Sequence, residues 1–114
     1  QRGFTVVLLG GELKGSTSAM VGPEALDVLE RYNFTLGFWG ANGIDLQAGC
    51  TSPEHEESQV KRASLARSAR RLVLADTSKF GRVAPVSFAS LDQVEVLTTS
   101  VPEGYEDVPS VRCV

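Results

Sequence analysis

The chain has 114 residues, 42% hydrophobic and 22% charged, a mixture that folds as one globular unit and argues against disorder. Eleven Lys and Arg against 14 Asp and Glu give a net charge of −3, the wrong sign for a segment that grips a phosphate backbone by itself. No apolar run approaches the roughly 20 residues of a membrane span, and one His with two widely spaced Cys does not build a structural zinc site.

Taken in chain order, Phe4 to Leu9 is a short apolar, β-branched run, predicted as a strand buried on both faces. Gly10 to Ser18 follows as a loop. Gly22-Pro23 opens a helix, with proline where its missing N–H costs nothing. Ala25, Leu26, Val28, Leu29 and Tyr32 fall on one half of that helix, and Glu24, Asp27, Glu30 and Arg31 on the other. Thr35 to Trp39 is the second predicted strand, punctuated by Gly40-Ala41-Asn42-Gly43. From there to Pro53, turn formers without helical period predict a loop.

A long helix is expected from Ser52-Pro53-Glu54, with acids first and Lys61, Arg62, Arg67, Arg70 and Arg71 later, an order that complements the macrodipole. Val60, Ala63, Leu65, Ala66 and Ala69 give it a face of small residues for close packing on a sheet. Leu72 to Ala75 is the third strand, ending at Asp76, and Ser78 to Arg82 is a loop. Gln93 to Thr98 is a fourth strand and Val111 to Val114 a short fifth. Strands alternating with helices in this order predict an α/β fold of three layers around a mainly parallel sheet.

Such sheets bind ligands at the carboxyl ends of their strands. Three glycine-bearing loops follow strands here, Gly10–Thr17, Gly40–Gly43 and Asp76–Gly81, and the topology carries them to one edge. The first has the outer glycine spacing of a phosphate loop, but Ser16 stands where the lysine belongs, and a plain turn is the simpler reading. Cys50 and Cys113 read as free cytosolic thiols, and Asn33-Phe34-Thr35 as a chance sequon. His55, the sole histidine, lies in the acidic run Glu54 to Glu57, which reads as a solvated helix start rather than part of a catalytic triad.

Four strings together are more specific: Phe38-Trp39-Gly40-Ala41-Asn42-Gly43-Ile44-Asp45; Gly49-Cys50-Thr51-Ser52-Pro53; Glu56 to Ala63; and Leu74-Ala75-Asp76-Thr77-Ser78-Lys79-Phe80-Gly81-Arg82. Over roughly residues 5 to 99 the chain resembles the sensor domain of DeoR/GlpR-type bacterial transcriptional repressors, and the Ala75 to Arg82 run is the most specific part of the likeness. The resemblance implies a ribose-5-phosphate-isomerase-like fold that binds a phosphorylated sugar or sugar-derived metabolite. It also implies a DNA-reading winged helix-turn-helix, expected in a preceding domain because no such helix pair occurs here and the chain opens on Gln1. A first strand and a Gly-Ser-Thr-Thr loop of the family are missing as well, so residues 1–114 are expected to be a sensor domain truncated on its N-terminal side. A cytoplasmic homo-oligomer is expected, with no membrane partner.

The competing reading is a sugar-phosphate isomerase of the same fold. Those enzymes resemble Asp-Gly-Ala-Asp after the equivalent strand, whereas the matching string here is Trp39-Gly40-Ala41-Asn42. Both acids are gone, and an amide accepts no proton at neutral pH. A family lysine that would stabilise an enediolate has no counterpart between Leu46 and Cys50. The expectation is therefore a binding domain with no catalytic residue, no metal and no cofactor. Its effector-contact candidates are Asn42, Gly43, Asp45, Thr51, Glu57, Lys61, Asp76 and Lys79. Asn42 between glycines offers amide and backbone donors, and Lys79 suits a phosphate. Glu57 and Lys61 lie on the predicted helix, where facing a ligand and facing solvent both remain open.

Overall fold

In the computed structural model, residues 31 and 33–114 are described. The predicted Phe4–Leu9 strand, the Gly10–Ser18 loop and the helix opened by Gly22-Pro23 lie outside the described residues, except for Arg31, which is an exposed turn residue. Seven strands and one α-helix follow in the order β1 (Phe34–Gly40), β2 (Gly43–Asp45), β3 (Gly49–Ser52), α1 (His55–Ala66), β4 (Ser68–Leu74), β5 (Val86–Ala89), β6 (Glu95–Thr98) and β7 (Val111–Cys113), with a 3-10 turn at Thr77–Lys79 between β4 and β5.

Four strands form the main sheet in the order β1-β4-β6-β7, every pair parallel, as the strand-helix-strand pattern predicts. The second, third, fourth and fifth expected strands are all found there, within two residues at most ends; the exception is the start of β4. Val73 and Val96 lie opposite each other in neighbouring strands and are fully buried, at the centre of the core that also takes in Leu65, Val111 and Phe88. Helix α1 covers this face. Trp39 Nε1 donates to Ser64 Oγ at 2.9 Å, and near the far end of the helix the Phe34 N–H donates to the Arg67 carbonyl at 2.8 Å. Because Arg67 sits beside the first residue of β1 and Lys61 reaches its last, α1 runs antiparallel to the strands, and its N-terminus lies at their carboxyl edge.

Two expectations are corrected. The stretch from Gly40 to Pro53 is not a plain loop: β2 and β3 form an antiparallel hairpin that β5 extends into a second, three-stranded sheet. Its arms have three and four residues and are almost wholly buried, so no alternating pattern exists to reveal them. The long helix also ends early, at Ala66, with no basic residue in its last turn. Ala69, Arg70 and Arg71 belong to β4 instead. Arg70 pairs with Glu95 of β6 at 3.1 Å, and Arg71 donates to the Ser68 and Gln93 carbonyls, so both cations are satisfied along the sheet rather than by the helix terminus. Cations with long aliphatic stems are compatible with either setting, which is why the charge order misled. No helix among the described residues is long and apolar enough to cross a membrane.

Candidate functional site

Strands β1, β4 and β6 end side by side at Gly40, Leu74 and Thr98. The two described loops singled out from the sequence, Gly40–Gly43 and Asp76–Gly81, leave from this edge at adjacent strands. They are tied together a few residues on: the Gly81 N–H donates to the Ile44 carbonyl at 2.7 Å, and Ile44 bridges Phe80 in parallel fashion. Gly81 has a φ of +85°, the left-handed conformation that lets the chain turn there without a Cβ penalty.

The eight candidate residues separate by what their polar groups already do. Asp45 is committed to its own hairpin: its carboxylate accepts the N–H groups of Gln47 and Ala48 at 3.0 and 2.9 Å. Those two N–H groups, Ala48 first, hold the carboxyl below the usual range. Thr51 is fully buried; its hydroxyl donates to the Gly43 carbonyl and accepts the Ala84 N–H. Gly43 is a place of close approach, where an added Cβ would lie 2.3 Å from the Arg82 carbonyl oxygen. Asp76 caps the 3-10 turn, accepting from the Ser78 N–H at 2.9 Å and from the Ser78 hydroxyl. That hydroxyl, followed by the N–H, holds its carboxyl below the usual range.

The two helix residues resolve inward. Glu57 is buried in the first turn of α1. Lys61 crosses from α1 to the strand ends, with Nζ 2.9 Å from both the Gly40 carbonyl and Ser52 Oγ and 4.8 Å from the centre of the Phe88 ring. Its ammonium therefore knits β1, β3 and β5 together. Ser52 and Phe88, the partners that hold Lys61, were not among the candidate site residues; Ser52 entered only as an expected helix start and within the Gly49–Pro53 string, and Phe88 not at all.

Asn42 and Lys79 differ from the rest. Asn42 gives its backbone N–H to the Thr51 carbonyl, but its side-chain amide makes no hydrogen bond among the described residues. The Lys79 ammonium likewise has no hydrogen bond or ion pair there, although its charge acts at longer range on the Asp76 carboxylate, and both residues are half-buried. An amide and an ammonium, one from the loop that follows each of two adjacent parallel strands, are thus left without a hydrogen bond at one edge. The same edge holds two buried hydroxyls without a hydrogen-bond partner, Ser58 Oγ in the first turn of α1 and Thr98 Oγ1 at the end of β6. Among the described residues no group of three or more His, Cys, Asp or Glu gathers to hold a metal ion.

Comparison with known proteins adds an independent line. A family described as the DeoR C terminal sensor domain matches residues 1–101. The chain is 40% identical over 94 residues to the HTH-type transcriptional regulator GlpR of Haloferax volcanii, covering 82% of this chain and 37% of that protein. It is 35% identical over 111 residues to the HTH-type transcriptional regulator FruR of Bacillus subtilis, covering 94% and 44%. With the glycerol-3-phosphate regulon repressor of Escherichia coli it shares 31% identity over 99 residues, covering 87% and 39%. The chain therefore spans about two fifths of the length of these relatives.

Proposed function

This chain belongs to the family of DeoR C-terminal sensor domains, and from that premise we propose that it is the effector-binding part of a transcriptional repressor of sugar metabolism. Its effector is a phosphorylated sugar or a metabolite derived from one, seated at the carboxyl edge of the main sheet. The fold is then the three-layer, ribose-5-phosphate-isomerase-like one. The repressor acts in the cytoplasm as a homo-oligomer and reads operator DNA through a domain outside residues 1–114.

The observation that carries this reading is the pair Asn42 and Lys79, polar groups left available at the ends of adjacent parallel strands. Open α/β sheets bind ligands there. An ammonium meets a phosphate as a point charge, and an amide offers a sugar hydroxyl both a donor and an acceptor. Asp45, Thr51, Gly43 and Asp76 shape the loops around these two, and Lys61 supports the floor. One relative is named a glycerol-3-phosphate regulon repressor, and a phosphorylated effector is in keeping with that name.

Binding without turnover follows from the same residues. Trp39 stands where the isomerases place an acid, and its indole donates to Ser64 on α1. Asn42 stands where they place the other, and a neutral amide is no base. The test is a thermal-shift screen of the intact protein against ribose 5-phosphate, glucose 6-phosphate, fructose 6-phosphate and glycerol 3-phosphate, paired with assays for their isomerisation. A shift with at least one phosphate and none with its dephosphorylated form, without turnover, is the expected result. Turnover lost on changing Asn42 or Lys79 would replace a sensor with an enzyme.

A further inference from the structure

We infer that Tyr105 is a positioning residue for the effector site, holding the segment that carries Lys79 against the segment that carries Asn42. The inference rests on the site reading above and extends it to a residue that neither the resemblance nor the family match touches, since the match ends at residue 101.

Tyr105 lies in the connection between β6 and β7, yet it is only 7% exposed. Its chain is held on both sides, by the Tyr105 N–H to the Pro102 carbonyl and the Val108 N–H to the Tyr105 carbonyl. From there the side chain reaches across the fold to β2, which follows one loop of the site, and to Phe80 in the other. The ring meets Phe80 edge-on, with centroids 4.9 Å apart and planes at 77°, and the hydroxyl donates to the Ile44 carbonyl at 3.2 Å. Phe80 follows Lys79 directly, and Ile44 is two residues beyond Asn42.

The Ile44 carbonyl is the junction. It accepts the Gly81 N–H at 2.7 Å and the Tyr105 hydroxyl at 3.2 Å, so both its lone pairs are used, one by each neighbouring segment. Ile44 itself is fully buried and cannot shift without disturbing the core. Tyr105 is thus the third side of a triangle whose other sides are β2 and the Phe80-Gly81 strand-like step. The ring fixes how far Phe80 stands from β2, and the hydroxyl fixes the ring. A ligand held by Asn42 and Lys79 needs that separation set before it arrives, because ordering the loop on binding subtracts from affinity.

The geometry also says which variant tests the idea. Tyr105→Phe removes the hydroxyl but leaves the Ile44 carbonyl bonded to Gly81, so no buried acceptor is orphaned and the fold persists. Tyr105→Ala removes the ring as well. The experiment measures, on the intact protein, amide hydrogen exchange across 76–82 without ligand and calorimetric titration with ribose 5-phosphate, glucose 6-phosphate, fructose 6-phosphate and glycerol 3-phosphate. For Tyr105→Phe, exchange across 76–82 should accelerate and affinity for the phosphate that binds should fall by about two- to tenfold, the range one neutral hydrogen bond supplies. Exchange elsewhere in the main sheet should stay as in the parent, which a general loss of stability would not allow. Unchanged exchange across 76–82 overturns the inference, and so does faster exchange with unchanged affinity. If the parent binds none of the four phosphates, the site reading itself falls and takes the inference with it, whatever the exchange shows.

Discussion

The ammonium of Lys61 lies 2.9 Å from the carbonyl of Gly40, closing the carboxyl end of β1 with a side chain delivered by α1. The same cation takes Ser52 Oγ and rests over the Phe88 ring, so a single residue joins the main sheet, the helix and the small antiparallel sheet. Lys61→Met keeps the stem and removes the charge. Hydrogen bonds to charged groups contribute about 1.5–3 kcal/mol, and partial exposure of this one places the expected loss at about 1–2 kcal/mol. Urea denaturation of parent and variant measures it, and a loss below about 0.5 kcal/mol would make Lys61 a solvated cation.

Gly43 sits where no side chain fits. A Cβ there meets the Arg82 carbonyl at 2.3 Å and the Thr51 hydroxyl at 2.7 Å, and backbone cannot swing aside as a flexible side chain does. Overpacking of this kind costs about 1–3 kcal/mol. Gly43→Ala should show that loss on denaturation and should also displace the Arg82 segment from β2. A variant as stable as the parent would mean that the two segments separate freely.

Acid should weaken the fold through carboxylates bonded in the folded state. Asp76 is held below its ordinary value of 3.8 by the Ser78 hydroxyl and then the Ser78 N–H; Asp45 is held below it by the Ala48 and Gln47 N–H groups. A group with its folded pKa depressed contributes stability that is complete above the unfolded value and drains away as pH falls toward the folded one. Stability should therefore be flat at neutral pH with respect to these groups and decline as pH drops through and below about 4. Asp76→Asn should shallow that decline. Equal acid limbs for parent and variant would show that Asp76 is not linked to folding.

The two cysteines should behave oppositely. Cys50 is fully buried in β3, and its burial pushes the thiol up to about 12, with nearby Lys61 pulling weakly the other way. Cys113 is exposed at the end of β7. Since the thiolate is the nucleophile, a thiol reagent at pH 8 should label Cys113 alone in the folded protein and both after unfolding. Rapid labelling of Cys50 under native conditions would contradict the packing of the hairpin on α1.

Legibility in the sequence followed local pattern. Strands β1 and β6 announce themselves by short, largely apolar runs bounded by turn residues, and Glu56 and Glu57 mark the helix start because acids in a first turn suit the dipole. Ser68 to Arg71 did not, since alanine and arginine are good helix formers and only pairing with Leu36 and Gly37 across β1 makes them strand. The edge that gathers Asn42 and Lys79 was legible from topology. Which candidates were free to meet a ligand was not: the sequence left Asp76 to pair with Lys79 or with solvent, whereas the Ser78 N–H bonds it, and the Ala48 N–H takes Asp45. Tyr105 had no local signal at all, because its partner Ile44 lies 61 residues away in sequence.

The central claim, that a sugar phosphate is held at the carboxyl edge by groups from adjacent strands, is tested most directly at Lys79. Calorimetric titration of the intact protein and of Lys79→Ala with whichever phosphate shifts the parent, and with its dephosphorylated sugar, isolates the contact. A charge-assisted bond of about 1.5–3 kcal/mol predicts that the variant binds the phosphate roughly tenfold or more weakly, and that parent and variant bind the bare sugar alike. If Lys79→Ala binds the phosphate as tightly as the parent, the ammonium is a solvated loop cation and the site lies elsewhere.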